Sequence, residues 1–303
     1  MKLFNWAWLS LPLAYMAFSP RVGKKLYRAL LFHPAPYLEQ LEEDPPIAGG
    51  IKAQEYFFHT AAQIAPSEML HAWYFKNIHP SEATGGGLDG KTILVSHGNS
   101  GNLVLRLSLV DLLLDCGASV FVYDYRGFGK SSGKPSVEGI CQDALSAYDF
   151  LTGQLGLAEN NIVLYGESLG AALSSWLSCR RKVSGLILQS GFTSLRRIAT
   201  ERIPFLTIYP EWMFGETMLD SVRVMKGKHP PLLVIHGKLD QVVPFHHGES
   251  VYTAGTQVKA MLAIAHAAHG DLVALAPEKM KEGISTFLES LTSEAAARRK
   301  FPA

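Results

Sequence analysis

One pentapeptide, residues 166–170 (GESLG), restricts the fold of this chain more than any other segment. An apolar run at 162–165 precedes it, and a helical pattern of small and apolar residues at 171–177 follows it. A strand, a tight turn and a helix in this order predict a nucleophile elbow, in which the glycines avoid collisions with neighbouring backbone. We therefore predict a positive φ at Ser168 and a hydroxyl near the helix N-terminus, where the dipole favours negative charge. The alternative is a structural serine in a tight turn.

An acidic residue follows Ser168 in the chain order that such a nucleophile requires, which is serine, then aspartate or glutamate, then histidine. The apolar run 231–235 predicts a buried strand, and the turn after it presents Asp240. A further short strand is predicted at 258–264, and the loop after it contains two histidines. We expect Asp240 to orient a histidine ring and to stabilise its protonated form.

The two histidines on this last loop, His266 and His269, compete for the role of the base. The base must lie on the loop after the last strand, because its ring has to reach both Ser168 and Asp240. We favour His269, since it leaves a longer loop after the strand and Gly270 behind it favours a turn. His266 is then an ordinary loop histidine.

The loop after the predicted strand 91–96 reads HGNSGN and is expected to contribute to an oxyanion hole. In an elbow of this kind one donor is the backbone N–H of the residue after the nucleophile, here Leu169. We assign the other donor to the backbone N–H of Asn99. His97 allows two interpretations, a second base or a histidine that shapes the loop by hydrogen bonding, and we favour the second because His269 fills the base position better.

Strand and helix patterns alternate along the chain, as βαβ units require. Strands are predicted at 53–60, 70–76, 91–96, 119–123, 161–165, 185–189, 231–235 and 258–264, the first two antiparallel and the others parallel. Helices are predicted at 101–116, 136–152, 168–180, 245–253 and 277–291. The pattern predicts a mostly parallel sheet whose ligands bind beyond the carboxyl ends of the strands, where all the motifs above lie.

Four stretches carry a resemblance to a known family: 96–99, 123–131, 166–170 and 236–244. The chain resembles the α/β-hydrolase superfamily, and within it the serine-hydrolase branch of Bem46-like proteins and abhydrolase-domain depalmitoylases. The resemblance covers about residues 53–290. It implies an α/β-hydrolase fold, with a mostly parallel eight-stranded sheet, helices on both faces and a short cap.

The same resemblance implies hydrolysis of an ester, thioester or amide bond without a cofactor. One departure is visible in the histidine loop, because Ala268 stands where relatives usually carry a glycine just before the histidine. The departure bears on the loop conformation. The role of His269 is unchanged.

The chain divides into a catalytic domain with extensions at both ends. We predict the α/β-hydrolase domain at 53–292, with a short cap of two or three helices at 192–230 whose aromatic residues line an acyl site or pack the cap onto the body. Residues 34–52 are predicted as a linker and 293–303 as a C-terminal tail. Residues 1–33 form a separate N-terminal segment.

This N-terminal segment is predicted to attach the protein to a membrane. Residues 3–18 are apolar and aromatic, and 24–32 form a basic amphipathic run. Such a pattern is typical of a membrane anchor or an interfacial segment, and if it spans, the basic excess on its C-terminal side keeps the catalytic domain cytoplasmic. The alternatives are a cleaved signal peptide, although no clean cleavage site is present, and a soluble helix packed on the domain.

The loop 124–133 contains several glycines, but its spacing matches neither a P-loop nor a dinucleotide fingerprint. We predict a structural loop tied by an Asp124–Arg126 pair. The three cysteines, Cys116, Cys141 and Cys179, lack metal-ligand spacing and are predicted to be buried thiols. No metal or organic cofactor is expected.

A net charge of +1 leaves no electrostatic footprint for nucleic acid. The resemblance implies a small-molecule or lipid-like acyl substrate as the partner. The sequence predicts a serine hydrolase for carboxylic esters or thioesters, with Ser168 as nucleophile, His269 as base and Asp240 as its partner. The alternatives are a serine aminopeptidase-like amidase and a non-catalytic binding protein on a hydrolase fold. A carboxylate-nucleophile enzyme is excluded, because residue 168 is serine.

Overall fold

The computed structural model describes residues 14–37, 45–61, 67–77, 90–214 and 219–291, and a mostly parallel eight-stranded sheet lies at its centre. In chain order the strands are β1 (Gln54–His59), β2 (Met69–Phe75), β3 (Thr92–Ser96), β4 (Ser119–Tyr123), β5 (Ile162–Glu167), β6 (Gly185–Gln189), β7 (Leu232–Gly237) and β8 (Lys259–Ile264). They are arranged in the order β1-β2-β4-β3-β5-β6-β7-β8. The β1–β2 and β2–β4 pairs are antiparallel and the others are parallel. The predicted α/β-hydrolase fold is confirmed.

Helices cover both faces of the sheet. They are α1 (Lys24–Leu31), α2 (Leu107–Asp115), α3 (Val137–Gly153), α4 (Leu169–Ser178), α5 (Leu195–Arg202), α6 (Ser221–Met225), α7 (Phe245–Ala254), α8 (Leu272–Leu275) and α9 (Pro277–Ser290). One face packs against α3, α4 and α7, and the opposite face against α2 and α9. Leu94 of β3 therefore packs in the core on the side of α3, α4 and α7, and its neighbours Ile93 and Val95 pack in the core on the side of α2 and α9. A strand buried on both faces must be apolar throughout, which explains its continuous hydrophobic run.

The strand order reverses at β3. From β3 the chain first passes to β4 on one side and later returns as β5 on the other. Such a reversal opens a crevice outside the carboxyl ends of the two neighbouring strands, where ligands of open α/β sheets bind. The loop that follows β3 and the turn that follows β5 therefore meet at this crevice.

The cap between β6 and β7 consists of short helices. It contains α5, two 3₁₀ helices at Pro204–Ile208 and Glu211–Phe214, and α6, whereas residues 215–218 lie outside the described ranges. Leu206, Tyr209 and Met213 form a small buried cluster of its own, on which Tyr15 and Tyr27 of the N-terminal segment pack. The cap is thus an insertion supported by the N-terminal segment.

The described part of the N-terminal segment is packed against the hydrolase domain. Phe32 is 5% exposed, and its ring lies edge-on to Phe128 with 6.4 Å between centroids. The two-residue strand His33–Pro34 then pairs in parallel with Ser100–Gly101. Within the described ranges, no helix has the length and apolar character needed to cross a membrane. Most of the run 3–18 and the tail 293–303 lie outside these ranges.

Two predictions for individual side chains are wrong. Arg126 does not pair with Asp124 but with Asp143 of α3, through Nη2 to Oδ1 at 2.6 Å and Nε to Oδ1 at 2.9 Å. Asp124 instead accepts the backbone N–H of Leu103 at 2.8 Å. Cys179 is exposed, because α4 ends one residue before it, although the other two cysteines are buried as predicted.

Candidate active site

Ser168 is the single residue between the end of β5 and the start of α4, with φ 55° and ψ −112°. A β-carbon at Gly166 would lie 2.2 Å from the carbonyl oxygen of Gly170, and one at Gly170 would lie 1.9 Å from that of Ser96. Neither position can hold a side chain, because the obstacle in each case is backbone. The turn therefore brings the backbone of α4 against the end of β3, and it holds Ser168 in the conformation expected of an elbow.

A continuous chain of hydrogen bonds joins Ser168 to His269 and Asp240. The distance between His269 Nε2 and Ser168 Oγ is 3.0 Å, and that between His269 Nδ1 and Asp240 Oδ2 is 2.7 Å. The carboxylate can only accept, so Nδ1 carries the ring proton and leaves Nε2 free to accept the serine proton. The structure brings together the three residues that the sequence singled out, whereas His266 is exposed on the same loop.

Asp240 is held as a carboxylate by donors on both of its oxygens. Oδ1 accepts the backbone N–H groups of Val242 and Val243, each at 2.8 Å, and Oδ2 faces His269 and, at 3.4 Å, His236 Nε2. Burial by itself would raise the pKa of Asp240, but these hydrogen bonds outweigh it and hold the pKa well below its usual range. Asp240 therefore remains charged and can orient the imidazole.

His236 was not assigned a role from the sequence, although it lies four residues before Asp240 in the same motif. Its Nε2 donates to the carbonyl of Val243 at 2.8 Å, and its side chain is fully buried. A β-carbon at Gly248 would lie 2.5 Å from His236 Nδ1, so α7 can pack over the ring only with glycine at that position. His236 thus braces the turn that presents Asp240.

The loop that carries His269 is fixed by backbone contacts. Asp271 Oδ1 accepts the N–H of Ala268 at 2.7 Å. A β-carbon at Gly237 would lie 2.4 Å from the carbonyl oxygens of both Ala267 and Ala268, so the end of β7 touches this loop directly. The loop therefore keeps a defined position with alanine before the histidine. Ser190, a residue with φ 51° that the sequence did not single out, donates its hydroxyl to the carbonyl of His269 at 3.3 Å.

Asn99 lies on the loop after β3, and the N-terminal segment holds it at two points. Its side-chain Nδ2 donates to the carbonyl of Leu31 at 2.7 Å, and its own carbonyl accepts the N–H of His33 at 2.8 Å. The preceding loop residue, Gly98, approaches Ser168, since a β-carbon at Gly98 would lie 3.7 Å from that of Ser168. Leu169 is buried as the first residue of α4. The sequence offered no signal for the tether between Leu31 and Asn99, because the two residues are far apart in the chain.

His97 is fully buried, where it shapes the same loop. Its Nδ1 lies 2.7 Å from the carbonyl of Gly98, its Nε2 lies 3.4 Å from Asp124 Oδ1, and its own carbonyl accepts the hydroxyl of Tyr125 at 2.6 Å. Burial opposes ionisation of Asp124, but His71 and His97 outweigh burial and lower its pKa. These contacts give His97 the loop-shaping role that we favoured from the sequence.

A charged pair beside Ser168 was also not predicted from the sequence. Arg106 Nε lies 3.0 Å from an oxygen of Glu167, the residue just before Ser168, and Arg106 Nη2 donates to the carbonyl of Ser100 at 3.2 Å. Both side chains are largely buried. The pair links the elbow to the loop after β3, so it fixes two components of the site relative to each other.

One cluster in the described ranges has the composition of a metal site. Glu201, His246 and His247 present atoms that all lie within 4.8 Å of one another, between α5 and α7. However, the backbone N–H of Thr193 donates to His247 Nδ1 at 3.3 Å, so the ring proton is on Nε2 and is directed at Glu201 Oε2, 2.8 Å away. The nitrogen that would bind a metal therefore carries a proton. The cluster acts as a hydrogen-bonded connection between the cap and the body.

Comparisons with known proteins agree with this fold. Residues 91–217 match the family model described as alpha/beta hydrolase fold. An uncharacterized protein of Mycobacterium tuberculosis is 34% identical over 222 residues, which cover 72% of this chain and 74% of that protein. The alpha/beta hydrolase domain-containing protein WAV2 of Arabidopsis thaliana is 33% identical over 200 residues, 60% of this chain and 61% of WAV2. The chain belongs to the α/β-hydrolase family.

Solved structures resemble this chain over most of its length. An esterase from Pyrococcus furiosus superposes with a TM-score of 0.66 at 18% identity, covering 86% of this chain and 98% of the esterase. A thermophilic esterase from Thermogutta terrifontis has a TM-score of 0.57 at 20% identity, covering 79% and 99%. Likeness at this level of identity establishes the shared fold.

Proposed function

We propose that this protein is a serine hydrolase that cleaves carboxylic ester or thioester bonds of acyl substrates. The observation that carries the proposal is the unbroken hydrogen-bonded chain from Asp240 through His269 to Ser168, with distances of 2.7 and 3.0 Å. A nucleophile, a base within hydrogen-bond reach and a group that orients the base are the minimum set for covalent catalysis by serine.

In the first half of the reaction, Ser168 Oγ attacks the substrate carbonyl carbon as its proton moves to His269 Nε2. The carbonyl oxygen becomes an oxyanion, for which we assign the backbone N–H groups of Leu169 and Asn99 as donors. The tetrahedral intermediate then breaks its bond to the leaving group, and His269 gives its proton to the departing alcohol or thiol. The product of this half-reaction is an acyl-serine.

In the second half, water attacks the acyl carbon and passes a proton to His269 Nε2. Collapse of the second tetrahedral intermediate releases the carboxylic acid, and the proton returns to Ser168. Asp240 stabilises the imidazolium form of His269 in both halves, because its low pKa keeps it negatively charged.

The alternative activity is amide hydrolysis, as in a serine aminopeptidase, which uses the same three groups. The esterase names of the solved relatives favour ester cleavage. A purely non-catalytic binding protein is disfavoured, since such proteins usually lack one member of the catalytic set.

A labelled fluorophosphonate tests the nucleophile. We expect it to label the wild-type protein, and we expect Ser168→Ala to lose both labelling and turnover while remaining folded. Ser250→Ala, a substitution of an exposed serine, is the matched control and should behave like wild type. Labelling that persists in Ser168→Ala would refute the assignment. A panel of an aryl ester, an acyl thioester and a peptide amide then distinguishes the activities, and turnover of the amide alone would establish the alternative.

A further inference from the structure

The cap and the N-terminal segment together expose large apolar side chains, which we call the cap face. Those from the cap are Phe205, Ile208 and Trp212, and those from the N-terminal segment are Met16, Phe18, Val22, Leu26 and Leu30. Trp212 is 60% exposed and Phe18 is 57% exposed. A contiguous group of exposed aromatic and aliphatic residues on a soluble domain marks a surface that binds something.

Direct contacts join the two halves of the cap face. The hydroxyl of Tyr15 donates to the carbonyl of Ile208 at 3.2 Å, and Arg21 Nη1 donates to the carbonyl of Trp212 at 3.3 Å. The rings of Tyr15 and Tyr209 lie 4.8 Å apart. The exposed residues of the cap and those of the N-terminal segment are therefore neighbours on one surface.

Beside this apolar surface, the charged side chains in the described part of the N-terminal segment are all basic. Residues 14–37 contain Arg21, Lys24, Lys25 and Arg28 and no aspartate or glutamate. In α1, Leu26 and Leu30 are four residues apart and therefore lie on the same side of the helix, with the lysines at its start. Exposed leucines with adjacent basic residues are typical of a helix that lies in a membrane interface.

The cap face also adjoins the loops of the candidate site. The last residue of α1, Leu31, accepts the hydrogen bond from Asn99, and Arg202 at the end of α5 donates to the carbonyl of Val242, two residues after Asp240. Val242 itself is exposed. A surface bound at the cap face would therefore lie close to the opening of the site.

We propose that the cap face binds the surface of an anionic lipid bilayer, with Phe205, Ile208 and Trp212 entering the interface beside the N-terminal segment. Tryptophan suits this position, because its ring is largely apolar and carries one polar N–H. The basic residues complement the negative charge of the lipid headgroups. The proposed membrane-binding surface thus includes the cap as well as the N-terminal segment. The proposal does not depend on the hydrolase activity.

A second copy of the chain is a poorer occupant of the cap face. In a two-fold symmetric contact the same surface faces itself, so the four cations of one N-terminal segment would approach the four of the other. The 3₁₀ helix that carries Trp212 contributes one acidic residue, Glu211, to oppose them. Like charges that face each other across an interface are unfavourable, whereas an anionic bilayer neutralises all of them.

Co-sedimentation of the full-length protein with vesicles tests the proposal. We expect the wild-type protein to bind vesicles of phosphatidylcholine with phosphatidylserine at least about fivefold better than phosphatidylcholine alone, since several cations contribute. Trp212→Glu should weaken binding to the anionic vesicles about tenfold or more, because it replaces an apolar contact by a charge of the wrong sign. Every variant keeps residues 1–13, so any affinity that they supply is equal throughout and the loss reports on the cap.

The matched control is Val258→Glu, which places the same charge on a similarly exposed apolar residue directly before β8, at the end of the sheet opposite the site. It should bind like wild type. Thermal unfolding, measured on the same samples, should be unchanged in both variants and verifies the fold independently of vesicle binding and of any hydrolase activity. Equal binding by wild type and Trp212→Glu, or equal binding to both kinds of vesicle, would overturn the proposal. A dimer in light scattering that Trp212→Glu converts to a monomer would assign the face to a second copy and also overturn it.

Discussion

Replacement of Asp240 by asparagine tests whether the carboxylate determines which ring nitrogen of His269 carries the proton. In the wild-type structure Oδ1 accepts the backbone N–H groups of Val242 and Val243, and Oδ2 accepts from His269 Nδ1. Asparagine has one acceptor oxygen and one NH₂ group. The oxygen must face the two backbone donors, so the NH₂ group faces His269 Nδ1. The imidazole then accepts at Nδ1 and carries its proton on Nε2, where it cannot receive the proton of Ser168.

The expected magnitude follows from this change of tautomer. The same substitution in a serine triad of similar geometry lowers kcat about 10⁴-fold, which corresponds to about 5 kcal/mol of lost transition-state stabilisation. Fluorophosphonate labelling of Ser168 should slow in parallel, because it requires the same proton transfer. Both backbone hydrogen bonds to residue 240 remain, so the protein should still fold.

Steady-state hydrolysis of a water-soluble aryl ester near pH 8 measures the effect, and thermal unfolding verifies the fold. The matched control is Asp149→Asn, which changes an aspartate 49% exposed on the surface that pairs with Arg181. A surface pair of this kind contributes little to stability, so the control should retain wild-type kcat. The reasoning would be refuted if folded Asp240→Asn protein kept kcat within about tenfold of wild type.

Three further predictions concern the same site. His269→Ala should lower kcat/KM about 10³-fold or more, whereas His266→Ala should change it little, and the reverse pattern would identify His266 as the base. Asn99→Ala should lower kcat up to about 100-fold with little change in KM, because it releases the tether that positions the assigned oxyanion donor; an unchanged kcat would contradict that role. The lowered pKa of Asp240 contributes stability above the unfolded-state pKa of about 3.9 and loses it as the pH falls through the folded-state value. Urea denaturation should therefore show a smaller loss of unfolding free energy on acidification in Asp240→Asn than in wild type, and equal losses would contradict the prediction.

The elbow could be predicted because its determinants are local. Gly166, Ser168 and Gly170 lie within five residues, and the apolar strand and the helix adjoin them directly. The strand boundaries were also predicted to within one or two residues, because strands buried on both faces are recognisable as uninterrupted apolar runs. The choice between His266 and His269 depended on loop length, which is likewise a local property.

The contacts that support the site could not be predicted in this way. Arg126 pairs with Asp143 because α3 returns over the loop after β4, although Asp124 is closer in the chain. Asn99 is tethered to Leu31, 68 residues before it. In both cases a hydrogen-bonding group has many candidate partners in the sequence, and only the packing of the elements selects one of them.

The amino-acid sequence by itself determined the alternation of strands and helices, the strained serine turn and the order of the acidic residue and the histidine along the chain. Tertiary structure alone decided the order of the strands, and the reversal of that order at β3 opens the crevice where the loops after β3 and β5 meet. It also decided that the N-terminal segment contacts both the cap and Asn99. The physical reason is that apolar patterning fixes which residues are buried, whereas the mutual positions of buried elements depend on close packing between residues distant in the sequence.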